Sequence, residues 1–150
     1  MPGASRDIEV PIDRSLVERK IALILDDLER IRKLAALSLD AYLADDVNEG
    51  LAERYLERTA GRLIDINFHL SSEVLGVTPS DYADSFLKVA RIGITTPEAA
   101  GRYAGLAGLR NRLVHEYNGI DEHLIYQALS RVLSDVPPYL KAIREFLDSR

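Results

Sequence analysis

The sequence predicts an all-α fold, an antiparallel helical bundle with two long helices and three to four shorter ones. Apolar residues recur at three- and four-residue steps, cap residues and stops punctuate those stretches, and strand punctuation is almost absent. Short connections between the stretches favour antiparallel neighbours.

Asp13 can cap a first long helix in which Leu16, Ile21, Ile24, Leu25, Leu28, Ile31 and Leu34 share the inward face. The stretch 38–46 interrupts it with short polar and aromatic residues. A second long helix over 47–75 carries Leu51, Tyr55, Leu56, Leu63, Ile64, Ile66 and Leu70 and stops at Gly76. Thr78, Pro79 and Ser80 make a turn into a third helix over 81–91, with Tyr82, Phe86, Leu87 and Ala90 inward. Thr96 followed by Pro97 is a helix start, because proline at the first position lacks only an N–H that would be unbonded anyway. This fourth helix runs to Glu116 or Tyr117. Asp121 begins a fifth through Leu124, Ile125, Ala128, Leu129 and Val132, and Pro137 and Pro138 separate it from a short closing helix.

At 150 residues the chain reads as one helical domain over 13–150, preceded by a mobile arm over 1–12. A hydrophobic content of 47% beside 29% charged residues belongs to a globular domain. No apolar run approaches the roughly 20 residues of a membrane span, and the N-terminus has no signal core. The absence of cysteine excludes disulfides and thiol chemistry. A cytoplasmic location without membrane contact is the expectation. A net charge of −5 argues against non-specific coating of nucleic acid, which draws on many cationic contacts. Yet four lysines among nineteen basic residues leave fifteen arginines, and arginine grips phosphate with a two-pronged fork. A local phosphate site fits within an acidic whole.

The densest polar patch is Arg110-Asn111-Arg112-Leu113-Val114-His115-Glu116-Tyr117, in the last turns of the fourth helix. Asn111 and His115 share a face. Arg110 and His115, five apart, diverge by roughly 140° and flank one side of the helix, a geometry suited to a groove or to a seam with a second copy. Histidine can act as base or acid near neutral pH, and arginine can stabilise charge growing on a phosphoryl group. Cleaving RNA without a metal needs both. Asn111 can orient His115 or bond the phosphate. The residues alone equally permit a histidine capping carbonyls at a helix end and an arginine in a surface ion pair with Glu116. Tyr117 likewise reads as packing or as an accessible phenol.

Two further patterns stay open. Asp65, His69 and Glu73 at four-residue steps can ligate a metal, or Asp65 and His69 can form a buried network with Arg110 or Arg112 that holds the fourth helix; the absence of a Glu-x-x-His pair favours the network and no metal. Gly101, Gly105 and Gly108 suggest close backbone approach, by the same chain or by a second copy.

The string from Arg110 to Tyr117 resembles the signature of the HEPN superfamily, and more closely its HepT toxin branch. The likeness extends over 13–147 and includes Asp65-Ile66-Asn67-Phe68-His69, Gly76-Val77-Thr78-Pro79, Gly93-Ile94 and Ile120-Asp121. It implies a metal-independent RNA endonuclease that acts as the toxin of a toxin–antitoxin pair and needs no cofactor. Arg110, Asn111 and His115 match its catalytic residues. The resemblance also implies a two-fold homodimer with the cleft across its interface, RNA rather than DNA as substrate, and a minimal nucleotidyltransferase (MNT) antitoxin that attaches AMP to Tyr117. The alternative is a non-catalytic helical module that docks a nucleotidyltransferase or a nucleotide through the same groove.

Overall fold

The computed structural model describes residues 12–116 and 119–150, so all but the last residue of the arm expected over 1–12, and Tyr117, lie outside the described residues. Ile12, assigned to that arm, is already half-buried against the core. The described residues form seven α-helices and no strand: α1 (Arg14–Ala35), α2 (Leu39–Leu43), α3 (Asp46–Leu70), α4 (Tyr82–Ile92), α5 (Pro97–Tyr103), α6 (Gly105–His115) and α7 (Glu122–Asp148). None is long and apolar enough to cross a membrane.

Side-chain caps begin three helices where the sequence places them, while α4 is capped by Asp81 rather than within 78–80. Asp13 accepts from the Leu16 amide, Thr96 from Ala99 and Asp121 from His123, each stabilising its helix by about 1 kcal/mol. Gly76 and Gly93 end their helices in the left-handed region at φ 66° and 95°, a conformation that costs glycine least.

Three elements differ from the sequence reading. The stretch 38–46 is not merely an interruption: Ser38 caps α2, which buries Tyr42. The fourth helix is two helices, α5 and α6, broken at Ala104. Gly101 and Gly105 flank the break, and their low helix propensity makes it inexpensive. Pro137 and Pro138, expected to separate two helices, lie inside one continuous α7. Both prolines are on the exposed side, while Val132, Val136, Tyr139, Leu140, Ile143 and Leu147 continue one buried stripe past them. Burial of that stripe outweighs the hydrogen bonds lost at the Leu133 and Ser134 carbonyls. The long helices thus number three.

α3 is the central element, packed against α1, α4, α6 and α7. Most residues expected inward are inward, but Leu25, Tyr82, Leu87 and Leu124 are on the surface. A buried polar relay ties three helices together. The Tyr139 hydroxyl on α7 donates to Asn67 Oδ1 on α3, and Asn67 Nδ2 donates to Ser85 Oγ on α4 at 3.1 Å. Ser85 in turn donates to the Tyr82 carbonyl at 2.6 Å, and Ser71 Oγ to the Asn67 carbonyl at 2.7 Å. Each buried polar group has a partner, so the relay specifies one arrangement of α3, α4 and α7.

α3 ends in a π-helical turn, Ser71–Leu75, closed by Gly76. The wider turn takes Glu73 out of the register it would share with Asp65 and His69 on a continuous α-helix.

Candidate active site

The last two turns of α6 carry Arg110, Asn111 and His115, and the structure places the three differently. Arg110 is half-buried and turned towards α3 and α4, its guanidinium 4.7 Å from the centroid of the Tyr82 ring. The face of an aromatic ring attracts a guanidinium, and at a partly exposed site the contact contributes about 0.5–1 kcal/mol. Gly61 on α3 lies next to this arginine, and a Cβ there would make only ordinary contact with Arg110 Nε, at 4.0 Å. Exposed Tyr82, expected in the core, is instead the platform for this arginine.

Asn111 and His115 are exposed on the outer side of α6. Among the described residues neither side chain has a hydrogen-bond partner, and Arg110 has no ion pair. Glu116, the expected partner of Arg110, pairs with Arg112 at 3.2 Å. His115 is therefore not a carbonyl cap, and Arg110 is not neutralised by its neighbours among the described residues. Among the described residues, His115 does not line the cavity that holds Arg110.

Arg110 lines a cavity of about 270 Å³ with Glu57, Arg58, Gly61, Arg62 and Asp65. The sequence reading did not single out Arg58 and Arg62. They lie one turn apart on α3 and converge on Asp27 of α1, a carboxylate with no exposure to solvent. Arg58 grips Asp27 through both Nε, at 2.9 Å, and Nη2. Arg62 Nη1 donates to Asp27 Oδ2 at 2.7 Å, and Arg30 Nη1 to Oδ1 at 3.0 Å. Burial works to raise the Asp27 pKa, but the hydrogen bonds from Arg58 and Arg30 and the charges of Arg58 and Arg62 outweigh it and hold the group below its ordinary value. One signal was available in the sequence: Asp27 stands on the inward stripe between Ile24, Leu28 and Ile31, where an unpaired acid is costly.

The network expected among Asp65, His69 and Arg110 or Arg112 does not form. Asp65 pairs with Lys20 at 3.1 Å, His69 Nε2 accepts from the Asp13 amide at 3.2 Å, and Arg112 is taken by Glu116. The side chains leave α3 and α6 towards different neighbours, because Asp65 and His69 face α1 rather than α6. Asp65 does share the cavity with Arg110. Among the described residues no group of three or more histidine, cysteine or carboxylate side chains is placed to hold a metal ion. The glycine pattern resolves in part. Gly105 admits the Arg131 guanidinium of α7, whose Nη2 would lie 3.2 Å from a Cβ there, whereas open space surrounds Gly101 and Gly108.

Comparison with known proteins bears on the whole chain. Residues 24–143 match the family described as Ribonuclease HepT-like. A tRNA nuclease HepT of Aphanizomenon flos-aquae is 34% identical over 136 residues, covering 91% of this chain and 92% of that protein. In fold, the chain resembles a tri-AMPylated Shewanella oneidensis HEPN toxin solved with its MNT antitoxin, at TM-score 0.78, 22% identity and coverage of 87% and 97%. It resembles Bacillus subtilis YutE, a cytosolic protein of unknown function, equally well, at TM-score 0.78, 18% identity and 92% of each chain. The chain belongs to the Ribonuclease HepT-like family, as the string from Arg110 to Tyr117 implied.

Proposed function

We propose that this chain is a metal-independent RNA endonuclease and the toxin of a toxin–antitoxin pair. The observation that carries the reading is the placement of Arg110, Asn111 and His115, on the last turns of one helix, in a chain of the HepT-like family, with no internal partner among the described residues for any of the three polar ends. Polar groups left unpaired at a surface are available to a ligand. His115 supplies an imidazole to take the proton of a ribose 2′-hydroxyl as that oxygen attacks the adjacent phosphorus. The bond from phosphorus to the 5′ oxygen breaks, and that oxygen leaves with a proton, giving a 2′,3′-cyclic phosphate. Arg110, steadied by Tyr82, supplies donors to the non-bridging oxygens as their charge grows. Asn111, one helical turn before His115, orients the ring or bonds the phosphate.

Because His115 does not line the cavity of Arg110 among the described residues, we place the working cleft across a two-fold dimer that brings two copies of α6 together. The relatives' descriptions support transfer RNA as the substrate and an MNT antitoxin as the partner of an AMPylated toxin, and the family resemblance adds Tyr117 as the acceptor and silencing as the result. An AMP group two residues beyond His115 in sequence adds negative charge and bulk to the catalytic string, and that opposes binding of a substrate phosphate.

Incubation of purified protein with total tRNA tests the reading. Wild type is expected to cleave with EDTA present, and His115→Ala to lose at least about 10²-fold in rate while keeping its helicity and its mass in solution. Cleavage by His115→Ala at the wild-type rate would refute the role of the imidazole. Specific activity is also expected to fall on dilution through the dimer dissociation range; a monomer cleaving at full rate would refute the shared cleft. Tight binding of a nucleotidyltransferase without any cleavage would assign the groove to docking instead.

A further inference from the structure

The cluster around Asp27 contains more positive charge than its buried carboxylate requires. Arg58 alone satisfies Asp27 with a two-pronged contact. Arg62 and Arg30 then bring a second and a third guanidinium to the same group, adding mutual repulsion and the loss of side-chain freedom. With Asp65 paired to Lys20, the cavity is lined by the guanidiniums of Arg58, Arg62 and Arg110 against the carboxylate of Glu57, and Arg30 joins Arg58 and Arg62 on Asp27 behind it. In a chain of net charge −5, this local excess is opposite in sign to the whole.

The geometry also leaves donors free. Among the described residues, Arg58 Nη1 and Arg62 Nε and Nη2 have no partner, and both side chains are partly exposed. Tyr55 lies beneath two of the guanidiniums, 5.9 Å from Arg30 and 5.4 Å from Arg58, as Tyr82 lies beneath Arg110. A buried acid thus holds all three arginines, Tyr55 packs against two of them, and Arg58 and Arg62 line the cavity.

We infer that Arg30, Arg58 and Arg62, clamped by Asp27, form a second phosphate-binding subsite that holds the backbone of the RNA substrate next to the link presented to Arg110. The inference rests on the ribonuclease reading and extends it. The cavity of about 270 Å³ has room for a phosphodiester and its sugar, and Arg110 and Arg62 line it together, so consecutive phosphates of one strand can meet both. The contacts are to backbone oxygens and therefore independent of base sequence. They position the strand and raise its affinity; the bond-breaking step remains with Arg110 and His115.

The experiment measures binding of fluorescein-labelled tRNA to protein carrying the non-cleaving His115→Ala change, between 50 and 200 mM KCl. The double variant Arg30→Gln/Arg62→Gln removes two phosphate contacts and leaves Arg58 on Asp27. It is expected to weaken binding about 10-fold at low salt and to flatten the slope of log affinity against log salt by about 1.4, at roughly 0.7 per contact to a single strand. Arg62→Lys, which keeps the charge, is expected to retain most of the slope. Should the double variant melt early, Arg30→Gln alone, at a half-exposed side chain, is expected to flatten the slope by about 0.7. A folded double variant with unchanged affinity and slope overturns the subsite while the ribonuclease reading stands, provided wild type cleaves. Wild type that neither cleaves nor binds tRNA overturns the ribonuclease reading and the subsite with it. An unchanged RNA isotherm with lost binding of a nucleotidyltransferase assigns the cluster to that protein and overturns the RNA subsite.

Discussion

At the scale of single residues, the chain keeps two kinds of polar group apart. Asp27, Asn67, Ser71 and Ser85 are buried and bonded, whereas Asn111 and His115 are exposed and have no partner among the described residues. The first kind holds the bundle; the second is available for chemistry. Asp27 belongs so firmly to the first that Asp27→Ala, which leaves three arginines facing one another around a void, is expected to cost about 3–5 kcal/mol in urea unfolding. Its pKa is held below the ordinary value, so the stability it contributes is complete above the carboxylate value of the unfolded chain and is lost as pH falls through the folded value. Asp27→Asn is expected to remove that part of the acid dependence; an unchanged acid profile would show that the carboxylate does not titrate with folding.

At the scale of elements, α7 shows how far packing overrides local preference. A proline inside a helix removes a hydrogen bond and crowds the preceding turn, at about 3 kcal/mol in a helix interior. The apolar stripe on either side of Pro137 and Pro138 holds the helix together nonetheless. Pro138→Ala restores a donor to the Ser134 carbonyl at an exposed position and is expected to raise stability by about 1 kcal/mol. A lower melting temperature in that variant would show that the bundle is fitted to a bend at the prolines. α6 illustrates the converse. With three glycines in and around α5 and α6, the stretch yields at Ala104, and α6 turns Arg110 onto Tyr82 as a separate short helix.

At the scale of the whole molecule, charge is unevenly placed. The guanidiniums around Asp27 and Arg110 collect along α1, α3 and α6, while carboxylates collect where the beginnings of α3 and α7 meet. There, burial, a hydrogen bond shared with Glu122 and repulsion from Glu122, Glu53 and Asp46 push Glu49 up to about 7. The folded chain holds this proton more tightly than the unfolded one. Stability from it is therefore complete below the ordinary glutamate value and is lost as pH rises towards 7. Glu49→Gln is expected to raise stability at pH 8 by about 1 kcal/mol, discounted for partial exposure, or roughly 3 °C, with the gain vanishing by about pH 4.5. An equal gain at both pH values would show that Glu49 keeps its ordinary titration.

The sequence by itself determined the helical class, the caps of α1, α5 and α7, the inward stripes of α1 and α3, and the string from Arg110 to Tyr117 that marks the family. These are local properties: periodicity, a capping oxygen and a motif are all written within a few consecutive residues. Only the tertiary structure decided that the prolines stay inside α7, that the fourth helix breaks at Ala104, that Tyr82 faces outward beneath Arg110, and that Asp65 and His69 turn to α1 instead of joining the site. It alone brought Asp27, Arg58 and Arg62 to one point beside Arg110. Each of these depends on burial or charge shared between residues far apart in the chain, whose energies no single stretch of sequence contains.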